Sequence, residues 1–133
     1  MLKKIVLTIL VTLFWSSTLY SQEESYKLLI FEGSDWCPNC IRFDKTVFKS
    51  TQFSEFISSN NINIEHIDFP QRKKLDAATK KYNASIADAY SFNGIFPTIL
   101  LIDETTNTVI ELPYSNQKPK EFIALIQSKI LSN

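Results

Sequence analysis

Both cysteines of this chain fall in one tetrad, Cys37-Pro38-Asn39-Cys40, and a short apolar run, Lys27-Leu28-Leu29-Ile30-Phe31, precedes it. A nearly continuous apolar run of that length suits a strand buried on both faces in the middle of a sheet. A helix starting beside Cys37 puts its sulfur where unpaired backbone N–H groups and the helix dipole favour a thiolate. Pro38 fits the first helical turn, where its missing N–H has no helical acceptor to lose. Cys40, one turn on, then lies within bonding distance and faces inward. In such a pair one sulfur attacks a disulfide and the other resolves the mixed disulfide, or the reverse sequence delivers a disulfide.

Two other uses of the pair follow from elementary chemistry. A permanent disulfide is one, but a four-residue ring restrains the unfolded chain far less than the ~3 kcal/mol of a fifteen-residue loop. A metal site is the other, yet zinc or iron takes about four ligands, and beyond the two sulfurs the chain offers only His66 and carboxylates. Transient capture of copper or zinc by the reduced dithiol stays open.

The remaining pattern describes one domain. After Cys37, Ile41, Val47 and Phe48 recur at roughly helical spacing until Lys49-Ser50-Thr51 interrupts, and Thr51 caps a second short helix carrying Phe53, Phe56 and Ile57. Asn60-Asn61 signals a turn, and Ile62, Ile64, Ile67 and Phe69 read as a strand that stops at Pro70. A helix is expected from about 72 to 90, with Leu75, Ala78, Tyr82, Ile86, Ala89 and Tyr90 as its buried stripe and a break near Asn83. Phe96-Pro97-Thr98-Ile99-Leu100-Leu101-Ile102 opens a third strand behind a proline; residues 103–107 turn it into an antiparallel hairpin with Thr108-Val109-Ile110-Glu111-Leu112. Pro119 opens a last helix whose apolar face holds Phe122, Ile123, Leu125, Ile126 and Ile130. The order β-α-β-α-β-β-α implies an α/β fold, a central mixed sheet of about four strands with helices on both faces.

At 133 residues, 44% hydrophobic and 21% charged, the chain has material for a single core. Its first residues differ in kind: Lys3 and Lys4, then the apolar run from Ile5 to Trp15, then Ser16-Ser17-Thr18. That pattern reads as a cleavable signal peptide over residues 1–21, because its apolar core falls short of the roughly 20 residues a spanning helix needs. The domain is then residues 22–133, in a periplasmic or secreted location; an uncleaved segment would instead anchor it to a membrane, facing the periplasm. Removing residues 1–21 leaves twelve basic against fourteen acidic residues, a formal net charge of −2. A mildly acidic surface does not select nucleic acid or anionic lipid. The denser basic stretch, Arg72-Lys73-Lys74 with Lys80-Lys81, reads as the solvated face of a helix.

Three features together resemble the thioredoxin superfamily, in particular its small exported members: Gly33-Ser34-Asp35-Trp36-Cys37-Pro38-Asn39-Cys40, Phe96-Pro97-Thr98 before a strand, and the element order. The resemblance covers residues 26–132. It implies a thioredoxin-like fold and a thiol–disulfide oxidoreductase in which Cys37 is the nucleophile, Cys40 resolves, and the two form a redox disulfide with no cofactor or metal. It also implies a cis bond after Phe96, with Pro97 facing the dithiol, the preceding backbone pairing with substrate, and Trp36 as a contact surface. Expected partners are client proteins with disulfides or thiols and a further redox partner, the chain acting as a monomer and in the reducing direction. A different class of function, a non-catalytic module that binds a partner protein or a copper ion, uses the same residues. The chain departs from the family at the position six residues before the first cysteine, where thioredoxins bury an aspartate and Phe31 stands here. By strand alternation Glu32 is expected on the opposite face, solvated or facing a loop. His66 is expected to be a hydrogen-bonded structural residue. Residues 90–97 look one residue longer than in typical thioredoxins.

Overall fold

The computed structural model describes residues 25–132, so the expected signal segment, residues 1–21, lies outside the described residues. The apolar run before the dithiol becomes β1 (Tyr26–Glu32), and its residues 28–31 are at most 1% exposed, so both of its faces are covered. It pairs in parallel with β2 (Ile62–Asp68) on one side and antiparallel with β3 (Thr98–Asp103) on the other, and β4 (Thr108–Glu111) completes the order β2-β1-β3-β4. The parallel register matters most, because it sets Glu32 opposite Asp68 at the strand ends that lead to the dithiol.

Alternation along β1 divides the core in two. Tyr26, Leu28 and Ile30 join Ile99 and Leu101 against Phe43, Val47, Phe53, Phe122 and Ile126. These last five come from α1 (Pro38–Phe43), the π-helical turn Asp44–Phe48, α2 (Thr51–Ser59) and α4 (Pro119–Leu131). Phe43 and Phe122 meet edge to face at 5.2 Å, the geometry that ring quadrupoles favour. Leu29, Phe31, Ile67, Leu100 and Ile102 line the other face, where Ile86, Ala87 and Tyr90, on and just after α3 (Ala77–Ala89), pack with Phe69, Phe92 and Phe96. The result is the expected four-stranded mixed sheet with helices on both faces.

Several local expectations are corrected. Ser50, not Thr51, caps α2: its Oγ accepts the Phe53 N–H at 3.2 Å. The third helix begins at Ala77 rather than near 72, because Asp76 caps it by accepting the Thr79 N–H at 2.8 Å. The backbone N–H groups of residues 71–73 point elsewhere, to Asp35. No break occurs at Asn83; it is the most buried residue of α3, at 5% exposure, and its amide donates to the Asp68 carbonyl at 2.8 Å. The inward stripe is therefore Thr79, Asn83, Ile86, Ala87 and Tyr90, while Ala78, Tyr82 and Ala89 are exposed. Tyr82 instead donates its hydroxyl to Glu65 on β2.

Asn83→Ala removes the donor to a part-buried carbonyl and is expected to lower stability by about 1–3 kcal/mol. Ala78→Gln, on the solvent side of the same helix, is expected to change it by less than about 0.5 kcal/mol. Urea unfolding of the two variants checks this, and equal losses would contradict the assigned stripe.

Candidate active site

The chain leaves β1 at Glu32 and turns sharply: the N–H groups of Trp36 and Cys37 both donate to the Gly33 carbonyl, at 3.2 and 2.9 Å. Gly33 is required there, since a Cβ would run into the indole of Trp36. Cys37 then serves as the N-cap of α1, its Sγ accepting the Cys40 N–H at 3.2 Å, with Pro38 at the first helical position. Cys37 and Cys40 are joined as a disulfide with Cα atoms 5.3 Å apart. Cys37 is 4% exposed and Cys40 1%, so the outer sulfur is only marginally more open than the inner one in the oxidised form.

The three residues before Cys37 are all fastened to the end of β2 and the loop beyond it. Ser34 donates its N–H and its hydroxyl to the two oxygens of Asp68, at 2.9 and 2.7 Å, and Lys73 pairs with the same carboxylate at 2.8 Å. Asp35 accepts the N–H groups of Gln71, Arg72 and Lys73, each at 2.9 Å. The indole N–H of Trp36 donates to the Phe69 carbonyl at 2.8 Å. Burial would raise the Asp68 carboxyl, but hydrogen bonds from Lys73 and Ser34 outweigh it and hold the group below its ordinary value. Asp35 behaves alike: desolvation pushes upward, and the three backbone donors with the Arg72 charge bring it down. In the sequence Ser34 and Asp35 stand out only as letters of the motif, and Asp68 not at all. The available signal was the parallel β1–β2 pairing, which brings the two strand ends together.

An aromatic wall stands on the other side. Trp36 meets Phe96 edge on at 5.3 Å, Phe96 meets Phe92 at 5.1 Å and Phe69 at 5.8 Å, and Phe92 stacks on Phe31 at 4.4 Å. The structure thus brings Trp36 together with the Phe96-Pro97 step, whose peptide bond is cis. Phe31 is fully buried in this wall. Glu32 is not solvated as expected: its side chain is 13% exposed and lies 2.8 Å from Nδ1 of His66. Alternation places it on the face of Leu28 and Ile30, the side against which α1 packs, so a carboxylate does occupy that side near the strand end. His66 is a hydrogen-bonded residue, its ring edge-on to Phe48 at 4.8 Å. The Glu32 hydrogen bond raises its pKa above the ordinary histidine value against the opposing effect of burial. Among the described residues no cluster of three or more His, Cys, Asp or Glu side chains is placed to hold a metal.

Comparison with known proteins agrees with this geometry. The family profile for the thioredoxin-like domain matches residues 16–130. The chain is 24% identical over 102 residues to the disulfide bond reductase DsbH of Chlamydia pneumoniae, covering 77% of this chain and 60% of that protein. It thus spans about 60% of the length of the curated relative it matches. A solved structure of a DsbH oxidoreductase superposes with a TM-score of 0.73 at 22% identity, over 84% of this chain and 76% of the other. A thioredoxin from Thermus thermophilus superposes with a TM-score of 0.52 at 16% identity, over 80% of this chain and 75% of that one. A strand that runs into a C-x-x-C at a helix start, on a sheet of this order, defines a dithiol protein of the thioredoxin fold. The chain belongs to the thioredoxin-like domain family.

The bracing has a testable pH dependence. Because the Asp35 pKa is lowered in the folded state, its contribution to stability is present above the unfolded carboxylate value and is lost as pH falls through the folded one. The melting temperature of Asp35→Ala should lie below that of the wild type at pH 6, and the gap should close as pH falls below the ordinary carboxylate range. A gap that persists unchanged to pH 2 would show that the carboxylate charge is not what fastens the loop.

Proposed function

We propose that this chain is an exported thiol–disulfide oxidoreductase that reduces disulfides of client proteins through Cys37 and Cys40. The observation that carries this reading is the position of Cys37 as helix N-cap, with its sulfur accepting a backbone N–H: negative charge on that sulfur is favoured by the same donor and by the helix dipole. Cys40, on the same helix and more buried, is the resolving sulfur in this reading.

In the reducing direction the Cys37 thiolate attacks one sulfur of a client disulfide. A Cys37–client bond forms, the client S–S bond breaks, and the second client sulfur leaves as a thiolate that takes up a proton. Cys40, losing its proton, then attacks Cys37 Sγ; the mixed disulfide breaks, the remaining client sulfur departs, and the Cys37–Cys40 disulfide forms. Two electrons pass to the client, and a separate dithiol redox partner must supply two more to reduce the Cys37–Cys40 disulfide again. Trp36 and the Phe96-Pro97 step form the surface against which the client segment rests. Support for reduction over oxidation comes from the curated relative, whose printed name is that of a disulfide bond reductase. Export rests on the charged and apolar pattern of residues 1–21. Among the described residues no helix is long and apolar enough to cross a membrane.

Cys40→Ser should accumulate a covalent complex with a cystine-containing client that dithiothreitol releases, because the first attack proceeds and the second cannot. Cys37→Ser should form no such complex and should lose disulfide reduction. Non-reducing gel electrophoresis reads both. Reduction that survives in Cys37→Ser would overturn the assignment of the nucleophile.

A further inference from the structure

Beside Trp36, a groove of about 340 Å³ opens along the segment that Asp35 and Asp68 hold in place. Its apolar walls are Phe69, Pro70 and Leu75, and the charged residues lining it are Lys73, Lys74 and Lys80, all exposed. The neighbouring carboxylates Asp35, Asp68 and Asp76 do not line the groove, and their oxygens have other partners. Asp35 accepts three backbone N–H groups, Asp68 takes Ser34 and Lys73, and Asp76 accepts the N–H and hydroxyl of Thr79. Among the described residues neither Lys74 nor Lys80 has a carboxylate within ion-pair distance. The charged residues that line the groove are thus all basic, although the chain as a whole has a formal net charge of zero.

From this arrangement we infer that the groove is a specificity surface for clients whose cystine is flanked by an acidic and apolar segment. The inference rests on the disulfide exchange proposed above and names the client class that exchange favours. The groove's wall at Phe69 is tied by the indole hydrogen bond to Trp36, the residue before Cys37, so the groove adjoins the loop that carries the dithiol. Its walls accept apolar side chains, and Lys74 and Lys80 attract carboxylates over a range of about 8–10 Å at moderate ionic strength. Lys73, shared with Asp68, holds the near wall while contributing less free charge.

The test compares three cystine peptides with one core sequence and acidic, neutral or basic flanks, reduced by the wild-type protein with dithiothreitol as electron source. The expected kcat/KM for the acidic peptide exceeds that for the basic one by about tenfold at low ionic strength, and the ratio falls toward one in ~0.5 M salt. In Lys74→Glu/Lys80→Glu the ratio should invert, and in Lys74→Gln/Lys80→Gln it should shrink, which separates the groove's effect from any influence of the flanks on their own cystine. Equal rates for the three peptides would overturn the inference and leave the exchange reading intact. A preference that survives both double variants would also overturn it. Equal peptide rates together with binding to phosphatidylglycerol vesicles would assign the patch to a lipid surface instead. Failure to reduce any disulfide, oxidised glutathione included, would remove the proposed function and this inference with it.

Discussion

The carboxylate of Asp68 is the point at which two separate stretches of chain become one site. It sits at the end of β2, opposite Glu32 across the parallel ladder, and takes two hydrogen bonds from Ser34 while Lys73 closes on it from the following loop. A partly buried carboxylate is tolerated only when its lone pairs are used and its charge is answered, and here both conditions are met by residues that flank the dithiol. The neighbouring Asp35 repeats the device with backbone donors, and Trp36 adds a third tie through its indole N–H. Together they hold residues 34–36 in place, and with them the start of the helix that Cys37 caps. A dithiol on an unbraced loop would have to lose that freedom each time it met a disulfide.

The same ties explain what the sequence could and could not convey. β1 was legible because four consecutive apolar residues bounded by polar ones leave little choice, and the hairpin and last helix were legible from a proline, a polar turn and plain periodicity. The C-x-x-C carried its own meaning, since helix start, proline and second sulfur are all local. What failed to show was non-local. Residues 72–75 have helical composition, but the N–H groups of residues 71–73 are claimed by Asp35, far away in sequence, and the helix is delayed until Asp76 caps it. The break expected near Asn83 is absent, because its amide is buried where a strand-end carbonyl needs a donor. That polar anchor rotates the whole helix, turning Tyr82 outward and setting Ala87 inward. Alternation puts Glu32 on the face opposite Phe31, but it does not show that His66, on the adjacent strand, is there to receive it.

The surroundings of the dithiol are unusually aromatic on one side and ionic on the other. Phe31, Phe92, Phe96 and Trp36 form a continuous wall of ring contacts on the first side. On the α1 side the Glu32–His66 pair supplies the titratable groups, its imidazole held against Phe48. The family relationship accounts for the fold, and the helix N-cap position of Cys37 accounts for the chemistry assigned to it.

The central claim, that Cys37 and Cys40 form a reversible redox couple and not a fixed staple, is tested most directly by titrating the domain lacking residues 1–21 against glutathione and dithiothreitol buffers and recording the reduction potential. The account predicts reversible titration at a potential near that of thioredoxins, on the order of −270 mV, with exchange against model disulfides. A pair that stays oxidised in buffers well below about −300 mV and exchanges with nothing would contradict it and make the bond structural.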